Sequence, residues 1–249
     1  MNLGYACINM TLSSQKPKVT TNRSMIKRTF EEKGIDYAGE LGLQNSADLI
    51  KILKWNKENN VNVFRLSSEF FPWASEYKFE DLPQYLRIKT LLAGCGHYAQ
   101  RNGIRLTCHP GPFNVLTSPH EHVVQNTLTD LRIHGEIFDM MGLERTPYNK
   151  INIHCNGVYG DKQSAMDRFC KNFERLPNSV KHRLTVENDD KASMYSVKDL
   201  MYIHERIGIP IVFDYHHHKF CTGDLTEQEA LELAISTWPK DIKPIVHYS

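Results

Sequence analysis

Leu184-Thr185-Val186-Glu187, a short apolar-rich run that closes on a carboxylate, is followed by an amphipathic stretch from Ser196 to Ile207. Ile211-Val212-Phe213-Asp214 then closes in the same way. Strand, helix and strand at this spacing are the signature of a parallel βα unit. The alternation extends in both directions. Further strands are expected at Leu3 to Cys7, Val61 to Ser67, Ile104 to His109, Ile151 to His154 and Ile245 to Tyr248, with Ile209 to Asp214 as the full sixth run. Helices are expected at Ser46 to Asn59, Pro83 to Arg101, Glu121 to Met141, Asp161 to Leu176 and Glu227 to Ser236. This order predicts an α/β fold of the TIM (β/α)8-barrel type. Such a barrel takes about 250 residues, so the 249-residue chain is expected to form a single domain over 1–249. Seven strands are counted where eight close a barrel. Either one strand is missed, or the last strand and helix lie beyond Ser249. Thr11 to Gly42 reads as a long polar loop insertion between the first strand and its helix, and loops of that length are usually functional or disordered.

Composition sets broad limits. Hydrophobic residues at 41% and charged residues at 24% are the balance of a soluble globular protein. A net charge of +1 argues neither for nor against nucleic acid, because one groove can be positive on a nearly neutral molecule. Lys16, Lys18, Arg23, Lys27, Arg28 and Lys33 are opposed only by Glu31 and Glu32, so this stretch could approach phosphates or simply be a solvated loop. The six cysteines include no CxxC pair, which fits free thiols in a reducing compartment. Neither a signal segment nor an apolar run near the roughly 20 residues of a membrane span is visible. The expectation is a soluble intracellular protein with no membrane partner.

Five successive strands end on a residue that can bind a divalent metal: His109, His154, Glu187, Asp214 and His247. Any one of them alone is more often a structural hydrogen-bonder. In a parallel barrel, however, all strand C-termini lie on one face, so the five can converge over the barrel mouth. His216-His217-His218 follows Asp214 directly, and spacing does not say which imidazole would join them. Imidazoles and carboxylates without thiolate suit zinc or manganese, and so many donors exceed one tetrahedral ion. Two or three ions are implied, with Glu187 at a central strand as the bridging carboxylate. Such a cluster suits phosphodiester displacement.

The chain resembles the UV-damage endonuclease family. The resemblance rests on Leu3 to Leu12, Thr20-Thr21-Asn22-Arg23, Phe64 to Ser68 with Phe71-Pro72, and His109-Pro110-Gly111. It continues, in order, through His154 with Gly157, Glu187-Asn188-Asp189, Asp214 through His218, and His247. It implies a barrel enzyme that cuts DNA on the 5′ side of ultraviolet photoproducts (cyclobutane dimers and 6-4 products), with abasic sites as a further substrate, and that works with two or three Mn2+. Zn2+ and Mg2+ are the alternatives. By position His109, His154, Glu187, Asp214, His217 and His247 correspond to metal ligands. Glu187, His109 and Asp214 are also the catalytic candidates. Tyr5 and Asn9 correspond to residues near the damaged strand, Arg23, in a matched motif of the basic stretch, is a further DNA-binding candidate, and Pro112-Phe113 is the probing dipeptide that enters the duplex. Glu76 stands where the family usually has a histidine ligand, and Ile245 where some members carry a lysine. The family's last strand and its ligands would lie beyond Ser249. The expected partner is double-stranded DNA carrying ultraviolet lesions, met by a monomer.

Two other functions compete. A sugar isomerase or epimerase of the xylose-isomerase-like barrels would explain Glu187, Asp214 and His247, but not the basic stretch or the apolar tip at Pro112-Phe113. A lesion-binding protein with cleavage impaired through Glu76, Ile245 or the missing tail is the second.

Overall fold

The computed structural model describes residues 2–248. Its contacts group into two compact units, Met1–His109 with Glu136–Glu144, and Pro110–Gly135 with Arg145–Ser249. Six strands among the described residues pair in parallel, three in each unit, as an α/β fold requires.

In the first unit, β1 (Gly4–Ala6) leads through α1 (Met10–Ser13) and α2 (Lys27–Glu58) to β2 (Val63–Leu66), and α3 (Tyr85–Arg101) leads to β3 (Arg105–Cys108). Tyr5 pairs with Phe64 and Phe64 with Leu106 in register. The expected loop over 11–42 is corrected here, because helix begins at Lys27 and runs to Glu58 with one discontinuity at Gly34 (φ 62°). The misreading has a physical cause. Gly39 and Gly42 look like loop residues, yet both are buried in helix, where a Cβ would fall 1.9 Å from Gln84 Oε1 and 2.6 Å from the Phe71 ring. Ala38, Leu41, Leu49, Ile52 and Leu53 then continue the buried face at helical spacing. At the exposed start, Lys27–Glu31 and Arg28–Glu32 pair one turn apart, each contributing about 0.3–0.5 kcal/mol.

The second unit holds α4 (Glu121–Met140, with the residues up to Gly135 belonging here), β4 (Ile151–His154), α5 (Lys162–Phe173), α6 (Asn178–Lys181) and β5 (Leu184–Glu187). After these come α7 (Val197–Ile207), β6 (Ile211–Val212), α8 (Tyr215–His218) and α9 (Glu227–Ser236). All of β5 is buried, as strands of parallel sheets covered on both faces are. Capping boxes at Ser196–Asp199 and Thr226–Glu229 fix where α7 and α9 start.

The expected sixth and seventh strands are shortened. Pro210 has no N–H to give the ladder, and the Ile211 N–H goes to Thr237 Oγ1 at 2.8 Å, so β6 keeps only two residues. Ile245 to Tyr248 forms no strand among the described residues. It contributes a single parallel bridge, Asp214 with His247, in which the His247 N–H donates to Phe213 O (2.8 Å) and the Tyr215 N–H to His247 O (3.1 Å). Pro244 on one side and the start of α8 at Tyr215 on the other leave room for no more.

Candidate metal centre

β4 and β5 lie in register so that His154 is opposite Glu187, and β5 sets Glu187 opposite Val212 on β6, two residues before Asp214. Strand ends therefore bring side chains from three strands to one place. Glu187, Asp214 and His217 each present a ligand atom within 4.8 Å of the others, a spacing one cation can bridge. Glu187 and Asp214 are each 1% exposed. Two carboxylates kept that close and that dry are costly unless cations or donors compensate them.

The remaining polar atoms orient the donors. Asp214 caps α8, its Oδ1 accepting the N–H groups of His216 (2.7 Å) and His217 (3.0 Å), which leaves Oδ2 for a cation. Asn188 braces Asp214 through its backbone, donating to Asp214 O at 3.1 Å and accepting from its N–H at 2.8 Å. His217 Nδ1 lies 2.9 Å from Asn188 O, so it carries the proton and Nε2 is the free lone pair. The other two imidazoles of the run are used differently. His218 is buried with its ring 5.3 Å from Phe213, and His216 is exposed against Phe220. Helical geometry on a capped turn thus separates three residues that spacing left equivalent.

Glu187 has its own support. Asn152 Nδ2 donates to Oε2, and Thr185 Oγ1 donates to Asn152 Oδ1 (2.7 Å), giving a buried chain that fixes the carboxylate. His247 Nδ1 lies 2.9 Å from Oε2, while His247 Nε2 lies 2.9 Å from the ammonium of fully buried Lys150. An ammonium can only donate, so Nε2 accepts and Nδ1–H points at Glu187. Both nitrogens of His247 are engaged here, and it buttresses Glu187. His154 Nδ1 lies 3.2 Å from Asp189 Oδ1, and its ring centroid is 5.3 Å from that of His217. Burial disfavours the His154 imidazolium, but the Asp189 bond and the fields of Glu187, Asp189 and Asp190 outweigh this and hold its pKa above the usual value.

Sequence reasoning named the candidate donors but assigned no role to the residues that brace them, Lys150, Asn152, Thr185, Asn188 and Asp189. A signal was available for two of them. Asn152 shares a strand face with His154 by period-2 alternation, Lys150 precedes the strand in the same alternation, and polar side chains so placed beside an otherwise apolar strand call for partners.

The remaining expected site residues are placed as follows. His109 follows β3 directly and is half-buried. Tyr5 OH donates to Asn56 Oδ1 (2.6 Å) and accepts from Asn9 Nδ2 (2.7 Å), while Asn9 Oδ1 caps α1 through the Leu12 N–H. Burial raises the Tyr5 pKa against the lowering effect of these two bonds, so the phenol stays neutral. Glu76 is exposed in a short 3-10 turn, accepts from Ser75 Oγ (3.1 Å), and belongs to no donor group among the described residues. Phe113 is 86% exposed and Pro112 is exposed beside it.

Arg23 is tied down within its own unit. Its guanidinium donates to Thr20 O (2.6 Å) and Lys18 O (2.9 Å) and pairs with buried Asp48 at 2.6 Å. Burial pushes the Asp48 carboxyl up, but the bonds from Lys51, Arg23 and the Thr20 N–H more than offset this, and its pKa is lowered. Arg23→Ala should cost about 1–3 kcal/mol at neutral pH. The Asp48 stabilisation is present above its unfolded pKa of about 3.9 and is lost as pH falls through the lower folded value. The deficit of the variant should therefore narrow in urea titrations at pH 3. A deficit of the same size at pH 3 and pH 7 would remove Asp48 from the account.

The family model described as UV-endonuclease UvdE matches residues 1–249. The UV-damage endonuclease of Schizosaccharomyces pombe is 37% identical over 256 residues, covering 99% of this chain and 42% of that protein. The UV DNA damage endonuclease of Clostridium perfringens is 34% identical, covering 100% and 58%. One from Bacillus cereus is 33% identical, covering 100% and 77%. The chain thus spans about two fifths to three fifths of the first two relatives. The crystal structure of SacUVDE superposes with a TM-score of 0.85 at 32% identity, covering 99% of this chain and 84% of that one. A D-psicose 3-epimerase from Clostridium cellulolyticum matches at a TM-score of 0.56 and 13% identity over 77% of this chain and 65% of that one, a likeness of fold alone. No helix among the described residues is long and apolar enough to cross a membrane.

Proposed function

The chain belongs to the UvdE family of UV-endonucleases, and from that premise we propose that it is a metal-dependent DNA repair endonuclease that nicks the backbone 5′ to ultraviolet photoproducts. Cyclobutane dimers and 6-4 products are the proposed lesions, with abasic sites as a further substrate. The supporting observation is the group formed by buried Glu187 and Asp214 with half-buried His217, each braced by neighbours and each offering one ligand atom within 4.8 Å of the others. That donor set fits a divalent cation that prefers oxygen and imidazole, and we assign two or three Mn2+, with Zn2+ and Mg2+ as weaker candidates. His154, His247, His109 and Glu76 complete the proposed ligand set. For His247 to offer a lone pair, the Lys150 ammonium must withdraw from Nε2.

Bound cations would supply charge neutralisation and Lewis acidity toward a phosphodiester. The protein's own contribution is preorganisation. Glu187 and Asp214 are dry and braced before substrate arrives, so little reorganisation is left for the reaction. Tyr5 and Asn9, coupled through one hydrogen bond, are the proposed contacts to the damaged strand, and exposed Pro112-Phe113 is the proposed wedge opening the base step. Arg23 is proposed as a further DNA contact, through a guanidinium that also holds the loop around Lys18 and Thr20. Residues 1–249 are proposed as a single catalytic domain, working as an intracellular monomer.

The direct test is an oligonucleotide duplex carrying one defined photoproduct, incubated with the manganese-loaded protein or with chelator, and the cut mapped to the nucleotide. A single metal-dependent nick 5′ to the lesion is expected. Equal cutting of undamaged duplex, or no cutting by fully loaded protein, would sink the proposal.

A further inference from the structure

Phe113 is the most exposed large apolar side chain of the described residues, and a freely moving loop would make it a poor wedge. Ordering such a tip on binding would cost conformational entropy, whereas a tip already fixed would not. Its two neighbours are fixed by one side chain. Asn156 Nδ2 donates to Pro112 O (3.3 Å) and to Asn114 O (3.1 Å), the carbonyls on either side of Phe113. Asn114 adds a second tie, with Nδ2 donating to Gly111 O (3.0 Å) and to Asp130 Oδ2 (2.7 Å).

Asn156 is itself held. Thr117 Oγ1 donates to Cys155 O (3.0 Å) and Tyr195 OH to Gly157 O (3.3 Å), so the carbonyls flanking Asn156 are both anchored. Its backbone is left-handed (φ 58°), a conformation that glycine and asparagine tolerate and most residues resist. A residue needed only for that turn would be well served by glycine; the amide adds the two bonds to the Phe113 segment.

We propose that Asn156 is a positioning residue for lesion recognition, holding Phe113 extended from the surface by clamping the carbonyls on both sides of it. This rests on the reading of the chain as a photoproduct endonuclease with Phe113 as its wedge. No polar atom of Asn156 need touch DNA. It acts through Phe113, and its substitution should be silent once the ring is gone.

Asn156→Gly keeps the left-handed backbone and deletes the amide, and Asn156→Asp keeps the shape but turns the donor into an acceptor facing two carbonyls. Binding of manganese-loaded protein to photoproduct and undamaged duplexes is measured for both variants, for Phe113→Ala, and for Asn156→Gly combined with Phe113→Ala. Hydrogen exchange of the Phe113 and Asn114 amides is followed without DNA. Asn156→Gly should lower the preference for damaged duplex about tenfold, Asn156→Asp should lower it at least as much, and both should speed exchange at Phe113 and Asn114 with manganese content unchanged. In the Phe113→Ala background the glycine substitution should change the preference by less than about twofold. The proposal is overturned if Phe113→Ala abolishes the preference while both Asn156 variants keep it, or if the full Asn156 effect persists without the ring. Should the unsubstituted protein bind both duplexes equally, the endonuclease reading falls and this proposal with it. Exchange at Phe113 and Asn114 would then still report separately whether Asn156 holds the loop.

Discussion

Glu187→Gln is expected to abolish nicking, by about 10²–10³-fold or more, while the protein stays folded. The carboxylate is 1% exposed and receives Asn152 Nδ2 and His247 Nδ1–H at Oε2, with His217 Nδ1 3.5 Å from Oε1. Glutamine loses the charge and makes one terminal atom a donor. If the new amide occupies the Oε2 place, it faces two donors; if it occupies the Oε1 place, it turns protons toward the His217 Nδ1–H. Either orientation removes cation affinity. Leaving buried donors unsatisfied costs about 1–3 kcal/mol, so the melting temperature should fall by several degrees, at about 2–4 °C per kcal/mol for a chain of this size. Circular dichroism melts, manganese titration and nicking on one preparation check all three. Near-normal nicking at saturating manganese would take Glu187 out of the site.

Asp214 should separate two duties in two substitutions. Its Oδ1 caps α8 and so holds the turn that carries His217, and Oδ2 is the proposed donor to the cation. Asparagine is as good a cap as aspartate, so Asp214→Asn should keep the melting temperature yet lose manganese affinity and about 10²-fold or more of the nicking rate. Asp214→Ala removes both functions and should lose a further ~1 kcal/mol of stability with the cap. Unchanged manganese binding in Asp214→Asn would leave Asp214 as a helix cap and nothing more.

Much of this molecule was legible in the sequence. β4 and β5 were readable to the residue, because fully buried parallel strands are apolar runs with sharp polar ends, and α9 because its polar cap and apolar spacing coincide. The position of the candidate donors at strand ends was readable for the same reason, since in a parallel sheet the strand direction alone fixes which end a residue occupies. The errors fell where local signals conflict with packing. Gly39 and Gly42 weaken a helix by propensity and strengthen this one by allowing Gln84 and the Phe71 ring to approach, a gain visible only when the neighbours are known. Pro210 and Pro244 were present in the sequence, but how far they shorten the sixth and seventh strands depends on which partner N–H groups remain.

The sequence by itself determined the α/β order, the strand polarity and which imidazole and carboxylate side chains stand at strand ends as candidate donors, because these follow from periodicity and residue type along one chain. Tertiary structure alone decided which of three adjacent histidines comes within reach of Glu187 and Asp214, and that Lys150 and Glu187 divide the two nitrogens of His247. It also decided that Asn156 reaches both neighbours of Phe113. Each of these is a hydrogen bond of fixed direction between residues 29 to 97 positions apart, or 44 and 42 apart for Asn156. Direction and distance at that separation are set by how the elements pack, and the order of residues in the chain does not encode them locally.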